Sequence, residues 1–505
     1  MDNVDVVVVG AGPVGLLLAG ELSLHGVAPL VVERLTERSP VPKANGLVGH
    51  VVRWLDHRGL YGRLTGDPAP PRPTPRYMFG GLPLVIGEWE ANPLHTVLLS
   101  QWELERGLAE WVAERGVVVR RGVDVTGVAQ DGDGVTVEFT GPDGAGRVRA
   151  GFVVGCDGAH SEVRKQAGIE FVGVSSDRVT SYTAHVVLPP GTVGPGGTLT
   201  VPGHGVLAPF TYHRTDRGVF AFASTRPGVH LVTANEWDRP AGDEPVTLDD
   251  VRAAVTRVLG AEVPMEPPTG PGRFVLRRTD DRNTRQADRY RVGRLLVAGD
   301  AAHVHSAAGG PGLNLGLSDA ANLGWKLAAT VHGWAPSALL DSYHDERHPA
   351  GERVVTHSLA QAALLAPGNE VTALRELFAQ LLTVPENTHR LAELLAGSDV
   401  RHGAGPHPQT GRWVVDFPLT VEGRPIRLAE LTRNGRPLLL DFTGAVGDLA
   451  AGWADRVDHV VASAERAPAD VVLVRPDGYA AWAGSPREID SLGAALRTWF
   501  GAPTG

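Results

Sequence analysis

The chain has 505 residues but a single cysteine, Cys156. That excludes any intrachain disulfide and any Cys-x-x-Cys redox or metal centre, and it suits a reducing cytoplasm. Long hydrophobic runs are also lacking, because glycines interrupt each apolar stretch well short of the ~20 residues that a membrane helix needs. There is no dense Lys/Arg run and no interleaving of basic with aromatic residues. With 47 Lys+Arg against 57 Asp+Glu and a net charge of −10, nucleic-acid binding is not expected. No secretory leader is expected either, since a strand pattern starts at Val4. His303 and His305 have no further Cys or His at metal spacing, so they make no zinc site and fit a hydrogen-bonding role near phosphate. No nucleophile–base–acid triad is present. What is left is an ordinary globular composition, 43% hydrophobic and 21% charged, on a chain too long for one core, so two or three domains are expected.

Glycine, by contrast, is plentiful, and three glycine segments stand in a fixed order. The first is Gly10-Ala-Gly12-Pro13-Val-Gly15. It follows the apolar run Val4 to Val9 and precedes a helix-like stretch that starts at Leu16. A second apolar run, Ala28 to Val32, ends in Glu33, eighteen residues after Gly15. Strand, glycine turn, helix, strand and acid form a dinucleotide-binding unit. Gly10 permits the tight turn, Gly12 lets backbone approach a pyrophosphate, and Gly15 lets helix and strand pack closely. The helix N-terminus then faces the phosphates, and the Glu33 carboxylate can accept a ribose hydroxyl. The middle segment is Gly155-Cys-Asp157-Gly158. The third, Leu295-Leu-Val-Ala-Gly299-Asp300, reads as a buried strand ending in a carboxylate that can bind another ribose-type hydroxyl. Pro311-Gly312-Leu313-Asn314 then opens a helix whose first turn offers backbone donors.

Together with Asp319-Ala-Ala-Asn322, Trp325-Lys326-Leu327 and Ser342-Tyr-His-Asp-Glu-Arg347, these segments resemble the class A flavoprotein monooxygenases, the single-component FAD-dependent aromatic hydroxylases. The ending, with Leu438-Leu-Leu-Asp441, Gly452 to Arg456 and Arg475-Pro-Asp-Gly478, is similar to the branch acting on polyketides and rifamycin-like antibiotics. The resemblance implies an α/β fold like that of para-hydroxybenzoate hydroxylase. It would comprise a Rossmann-like FAD domain, an inserted antiparallel-sheet substrate domain and a thioredoxin-like C-terminal domain. It further implies that FAD is held by Gly10, Gly12, Pro13, Gly15, Glu33, Arg34, Lys43, Gln101, Asp157, Gly299, Asp300, Gly310, Pro311, Gly312, Leu313 and Asn314. The middle segment would lie near both FAD and the nicotinamide. NADPH or NADH is the implied co-substrate with O2, and the implied species is a monomer or homodimer.

The pattern along the chain divides as follows. The FAD domain takes 1–74, 101–174 and 275–400, the substrate domain takes 75–100 and 175–274, and the C-terminal domain takes 401–505. The stretch Pro68 to Pro75 breaks regular structure. Gln101 to Arg115 reads as an amphipathic helix with Trp102, Leu104, Leu108, Trp111 and Val112 on or near one face. Strands are expected at 182–188, 197–201, 205–212 and 218–224, and a helix at 248–259. Helices dominate 313–395, and a Gly/His/Pro loop at 397–411 precedes a small α/β domain. That last domain has no cysteine, so a packing or dimer-related role is expected of it.

The chemistry implied by the resemblance is that reduced flavin and O2 form a C4a-hydroperoxide that hydroxylates a polycyclic aromatic. The protein positions substrate and excludes water, and backbone N–H groups of the loop 306–314 stabilise charge at the flavin ring. His185, His213, Arg214 and Arg226 are the candidates for helping to deprotonate a phenol. Baeyer–Villiger insertion or epoxidation, and a non-catalytic flavin-fold scaffold, are the alternatives. A flavin halogenase is discounted because its Trp-x-Trp-x-Ile-Pro segment is missing. The family usually carries Arg near positions 43 and 50. Lys43 keeps the charge without the bidentate fork, and His50 is expected to be mostly neutral at pH 7.

Overall fold

A computed structural model describes residues 3–39, 44–239, 244–270, 274–280, 282–305 and 310–504. The apolar runs at the chain start become strands Asn3–Val9 and Leu30–Glu33 of an eight-stranded sheet. Asn3–Val9 pairs in parallel with Leu30–Glu33 on one side and Gly144–Gly155 on the other. Leu295–Val297 extends the sheet beyond Gly144–Gly155, and Val118–Arg121 extends it beyond Leu30–Glu33, again in parallel. The register sets Val9 beside Gly155 and Gly155 beside Val297. All three glycine segments therefore leave the carboxyl ends of adjacent parallel strands, the edge where open α/β sheets bind ligands.

Helix Pro13–Leu24 is apolar on every side because it is enclosed on every side. It packs between helices Gln101–Ala113 and Pro311–Val331, which fixes both against the sheet. Helix Gln101–Ala113 begins with a capping box between Ser100 and Glu103. Its buried face carries Leu104, Leu108, Trp111 and Val112. Trp102 is not on that face. It is exposed, with Arg38 lying over its ring at 5.1 Å.

The inserted domain is a five-stranded antiparallel sheet in the order Tyr212–Thr215, Gly218–Arg226, Val229–Trp237, Val179–Val186, Leu276–Thr279. The expected strand 205–212 is two strands, Gly205–Leu207 and Tyr212–Thr215, in different sheets. The strand Val229–Trp237 was not foreseen. Its Thr, Asn and Glu give it no apolar alternation, yet it lies between two partners and its backbone is fully paired. Leu276–Thr279 also joins this sheet, from beyond residue 274. Helix Leu248–Leu259, capped by Thr247 and Asp250, covers one face over Tyr182, Ala184, Val186, Phe220 and Val232.

Four helices follow: Pro311–Val331, Ser342–Leu365, Asn369–Leu381 and Pro385–Ala396. The C-terminal domain is a four-stranded sheet in the order Asp458–Val461, Leu438–Asp441, Val471–Val474, Ala480–Gly484, closed by helix Ile489–Phe500. Its core is continuous with the outer face of helix Pro311–Val331, where Trp325 and Ala329 meet Trp453, Leu496 and Phe500.

Histidines gather along this seam. His50 and His57 lie 4.9 and 5.0 Å from the Trp413 ring, and His402 lies 4.0 Å from Tyr479. Burial, aided by nearby arginines, lowers His57 and His402 to about 3 and His95 to about 4. His50 is held well below its usual value by burial and by Arg53. These folded values lie below the unfolded one, so the unfolded chain binds more protons as pH falls. The histidine contribution is complete above pH 6.5 and is lost between 6.5 and about 3, at about 1.4 kcal/mol per pH unit for each fully buried group. The melting temperature is therefore expected to be flat from pH 8 to 7 and to drop steeply from 6.5 to 4.5. Thermal scans should show a shallower drop for His57→Gln, and an unchanged melting temperature at pH 5 would exclude this account.

Candidate active site

At the first turn the backbone leaves no room for side chains. Gly10 has φ +104°, and a Cβ there would stand 2.4 Å from the carbonyl oxygen of Cys156. A Cβ on Gly15 would stand 2.0 Å from the carbonyl oxygen of Gly10. Gly12 is the opposite case, since its Cβ position faces open space. It is the N-cap of helix Pro13–Leu24 and no side chain caps that end. The first-turn N–H groups and the positive end of the helix dipole thus remain available to an anion. Glu33 holds the turn, accepting from Ala11 N at 2.8 Å and from Leu35 N at 2.9 Å. Each of its oxygens keeps a lone pair for a further donor. Arg34 beside it is exposed.

The third segment meets the first directly. Gly299 has φ +64°, and a Cβ on it would come within 2.9 Å of Val14. Its N–H donates to Asp319 Oδ2 at 3.1 Å. Asp319 lies on helix Pro311–Val331, is wholly buried, and takes two more partners: His303 Nε2 at 2.7 Å and Arg347 Nε at 2.9 Å. Burial alone would raise the Asp319 carboxyl, but His303 and Arg347 outweigh it and hold the group below its usual value. Asp300, by contrast, is exposed at the rim.

Helix Pro311–Val331 starts from Gly310, which has φ +66°, no capping side chain and open space around its Cβ position. Pro311 is buried, while Gly312 and Leu313 are half-buried, with the His305 ring over Gly312. Asn314 Oδ1 accepts from Val48 N at 2.9 Å, and its Nδ2 donates to Gly310 O at 2.8 Å. Asn314 thus pins the helix start to strand Gly46–Val48.

The middle segment is bonded to the strand ends that lead into the other two, Cys156 N–H to Val9 O at 2.7 Å and Ala298 N–H to Gly155 O at 2.9 Å. Arg164 donates to Ala301 O at 2.9 Å and to Ala159 O at 3.0 Å. Asp157 has a structural role on one of its oxygens. Its Oδ2 accepts from Glu162 N and Val163 N and so caps helix Glu162–Gln166, and burial raises its pKa. Its Oδ1 has no hydrogen-bond partner among the described residues. Gln101 donates from its side chain to Glu105 Oε1 at 2.7 Å and from its backbone to Ala44 O at 2.9 Å. Lys43 and residues 306–309 of the expected ring-side loop lie outside the described residues. His50 points to the C-terminal domain, against Trp413. His303, expected near phosphate, is buried on Asp319 instead.

Helix Leu248–Leu259 covers one face of the inserted sheet, so pairing register assigns Ser181, Thr183, His185, Leu231 and Thr233 to the other face. His185 Nδ1 accepts from Val275 N–H at 2.9 Å, so the neutral ring carries its proton on Nε2. Burial, then Arg226, keeps that ring's pKa low. His213 pairs with Phe220, a residue of the helix-covered face, and its Nε2 is hydrogen-bonded to Ala208 O at 2.7 Å, so it belongs to the wrong side of the sheet. Arg214 is committed to Ala366 O, Gly368 O and Thr372 Oγ1. Arg226 lies over Phe274 at 5.5 Å.

Two helix N-termini without caps, Gly12 and Gly310 with clear space in front of them, and acceptors at Glu33 and Asp300 suit a ligand with a central pyrophosphate and flanking hydroxyls. FAD fits that description. No group of three His, Cys, Asp or Glu suited to a metal occurs among the described residues. No helix among them is long and apolar enough to cross a membrane.

Comparison with known proteins agrees with the geometry. Residues 3–358 match the FAD binding domain model, and residues 407–503 match the model for the aromatic-ring hydroxylase C-terminal region. Anhydrotetracycline monooxygenase of Streptomyces rimosus is 42% identical over 515 residues, covering 99% of each chain. Rifampicin monooxygenase of Streptomyces venezuelae is 38% identical, again over 99% of each. The solved structure of the anhydrotetracycline hydroxylase from Streptomyces rimosus superposes with a TM-score of 0.88 at 39% identity, covering 99% of this chain and all of that one. From a glycine cradle shaped for a dinucleotide to a full-length match, the findings converge, and the chain belongs to the FAD-dependent aromatic-ring hydroxylase family of flavin monooxygenases.

Proposed function

We propose that this protein hydroxylates a polycyclic aromatic, polyketide-type natural product, using FAD, NADPH or NADH, and O2. The observation that carries this reading is the 42% identity to anhydrotetracycline monooxygenase across the whole chain, C-terminal domain included. That identity runs over the stretches that form the seam, the cradle and the inserted sheet, and it supports a substrate of the same class as the one that enzyme is named for. FAD, once bound, supplies the oxygen chemistry.

The chain's own residues do the rest. The N–H groups at the start of helix Pro13–Leu24 bind the pyrophosphate, those at the start of helix Pro311–Val331 face negative charge on the flavin ring, and Glu33 and Asp300 accept hydroxyls. Arg164 ties the middle glycine segment to the third, and Asp319 fixes Gly299 within the third. The open face of the inserted sheet, with Thr183, Thr233 and the Nε2–H of His185, forms the substrate wall. Its apolar and hydroxyl-bearing side chains exclude bulk water from the reacting ring. A fixed Nε2–H donor suits a phenolate or carbonyl oxygen of the substrate and holds it in one orientation. The domain division is FAD binding over 1–74, 101–174 and 280–400, and substrate binding over 75–100 and 175–279, so that the strand Leu276–Thr279 goes with the sheet it pairs in. We place the protein in the cytoplasm as a monomer or homodimer.

Purified protein mixed with anhydrotetracycline-type phenols, NADPH and O2 is expected to consume NADPH faster than without substrate and to give a product 16 Da heavier. NMR of that product should show a new hydroxyl. A ring-expanded ester or an epoxide would replace hydroxylation by the alternative outcomes, and no substrate-dependent NADPH use would favour a scaffold. Gly15→Ala is expected to purify without the visible flavin bands, because its Cβ meets the Gly10 carbonyl at 2.0 Å. Flavin retained at wild-type occupancy in that variant would count against the cradle. His185→Ala is expected to lower product formed per NADPH about tenfold, the loss of one oriented hydrogen bond of roughly 1.4 kcal/mol, with His185→Gln in between. Equal coupling in all three would remove His185 from the substrate wall.

A further inference from the structure

The C-terminal domain lacks cysteine and so lacks thioredoxin chemistry. Its turn at Arg475-Pro-Asp477 nevertheless reaches into the FAD-binding domain and ends in a buried ionic network. Arg475 places two guanidinium nitrogens on Glu346, at 2.6 and 2.7 Å, and also bonds Asp477. Glu346 belongs to helix Ser342–Leu365. Its Oε2 accepts as well from Lys326 Nζ at 2.7 Å and Asn322 Nδ2 at 2.7 Å, both on helix Pro311–Val331. Asn322 donates in addition to Asp477 Oδ2 at 2.9 Å. The turn therefore grips both helices at once. The next residue after Glu346 is Arg347, which bonds Asp319, and Asp319 lies one helical turn before Asn322.

The charges balance. Arg475, Lys326 and Arg347 face Glu346, Asp477 and Asp319, all of them buried. A cavity of about 30 Å3, room for one water, lies where His50, Asn322, Arg347, His402, Asp477 and Tyr479 meet. Removing one charge from such a set leaves its partner buried and uncompensated, and the helices must shift to relieve it. The shift would be felt at Asp319, whose other oxygen holds the Gly299 N–H.

We propose that the Arg475–Asp477 turn is a positioning element for the flavin, setting helix Ser342–Leu365 against helix Pro311–Val331 so that Asp319 holds Gly299 in the cofactor cradle. Arg475 and Asp477 touch no cofactor themselves; they act through Glu346, Asn322, Arg347 and Asp319. The C-terminal domain is then a working part of the FAD site rather than an appendage. This inference rests on the reading of the cradle as an FAD site.

The test uses the full-length chain stripped of cofactor and titrated with FAD, followed by quenching of tryptophan fluorescence and by the visible flavin spectrum. Asp477→Asn is expected to raise the FAD Kd about tenfold and to shift the bound flavin's absorption maxima. The comparison is Leu492→Ala, a fully buried core residue of the same domain outside the network. It is expected to lower the melting temperature of the cofactor-free protein while leaving Kd within about twofold. Should Asp477→Asn not fold, Arg475→Lys, which keeps the charge and loses the fork, is expected to weaken FAD in the same sense. Wild-type Kd and spectrum in the folded network variant, or equal weakening by Leu492→Ala, would overturn the proposal. A wild-type chain that binds no FAD would overturn the cofactor reading itself, and that failure is read before any variant is compared.

Discussion

One buried carboxylate organises this molecule. Asp319 has no contact with water, and isolating an ionised carboxylate in that way is costly unless it is paired and hydrogen-bonded. Its three partners come from two separate stretches of chain: the N–H of Gly299 and the His303 ring from one, and the Arg347 guanidinium from the other. Satisfying one group therefore forces the third glycine segment, its following strand and two long helices into a single geometry. With Gly299 fixed, Val14 and Gly316 are in contact range of it, and the starts of helices Pro13–Leu24 and Pro311–Val331 meet around the same turn. The ionic pairing is thus less a source of stability than a means of specifying one arrangement over its neighbours.

The features readable from sequence are those whose cause is local. Gly10, Gly12, Gly15 and Glu33 belong to one βαβ unit, and their spacing carries the turn, the helix start and the acid with no help from the rest of the chain. The helix at 248–259 is readable for the same reason, with Thr247 and Asp250 closing its first turn. The features that escaped are those decided at a distance. Val229–Trp237 is a central strand because two neighbours pair with it, not because its polar side chains prefer extension. Asp157 caps a helix five residues ahead, which its position next to Gly158 does not announce. His213 falls on the covered face of its sheet through a register that only the pairing with Phe220 reveals. Asp319 and Arg347 stood in stretches that fitted the family, yet nothing within either stretch said that the two would meet across 28 positions.

The seam with the C-terminal domain shows the same preference for specification. Arg58 forks onto Glu21 at 2.8 Å and also reaches Thr432 O and Pro476 O, so a pair inside the FAD-binding domain is completed by carbonyls of the C-terminal one. Arg427 reaches back to Asp56 at 2.7 Å. Apolar packing around Trp325 supplies attraction without direction, and these polar contacts supply the direction.

The two uncapped helix starts have an electrostatic side. Each carries roughly half a positive charge at its amino end, in a protein whose net charge is −10. A helix start of that kind favours an anion over a neutral group at short range, against the overall negative charge of the chain. Mobile ions shorten that reach to the Debye length, ~8 Å at physiological strength.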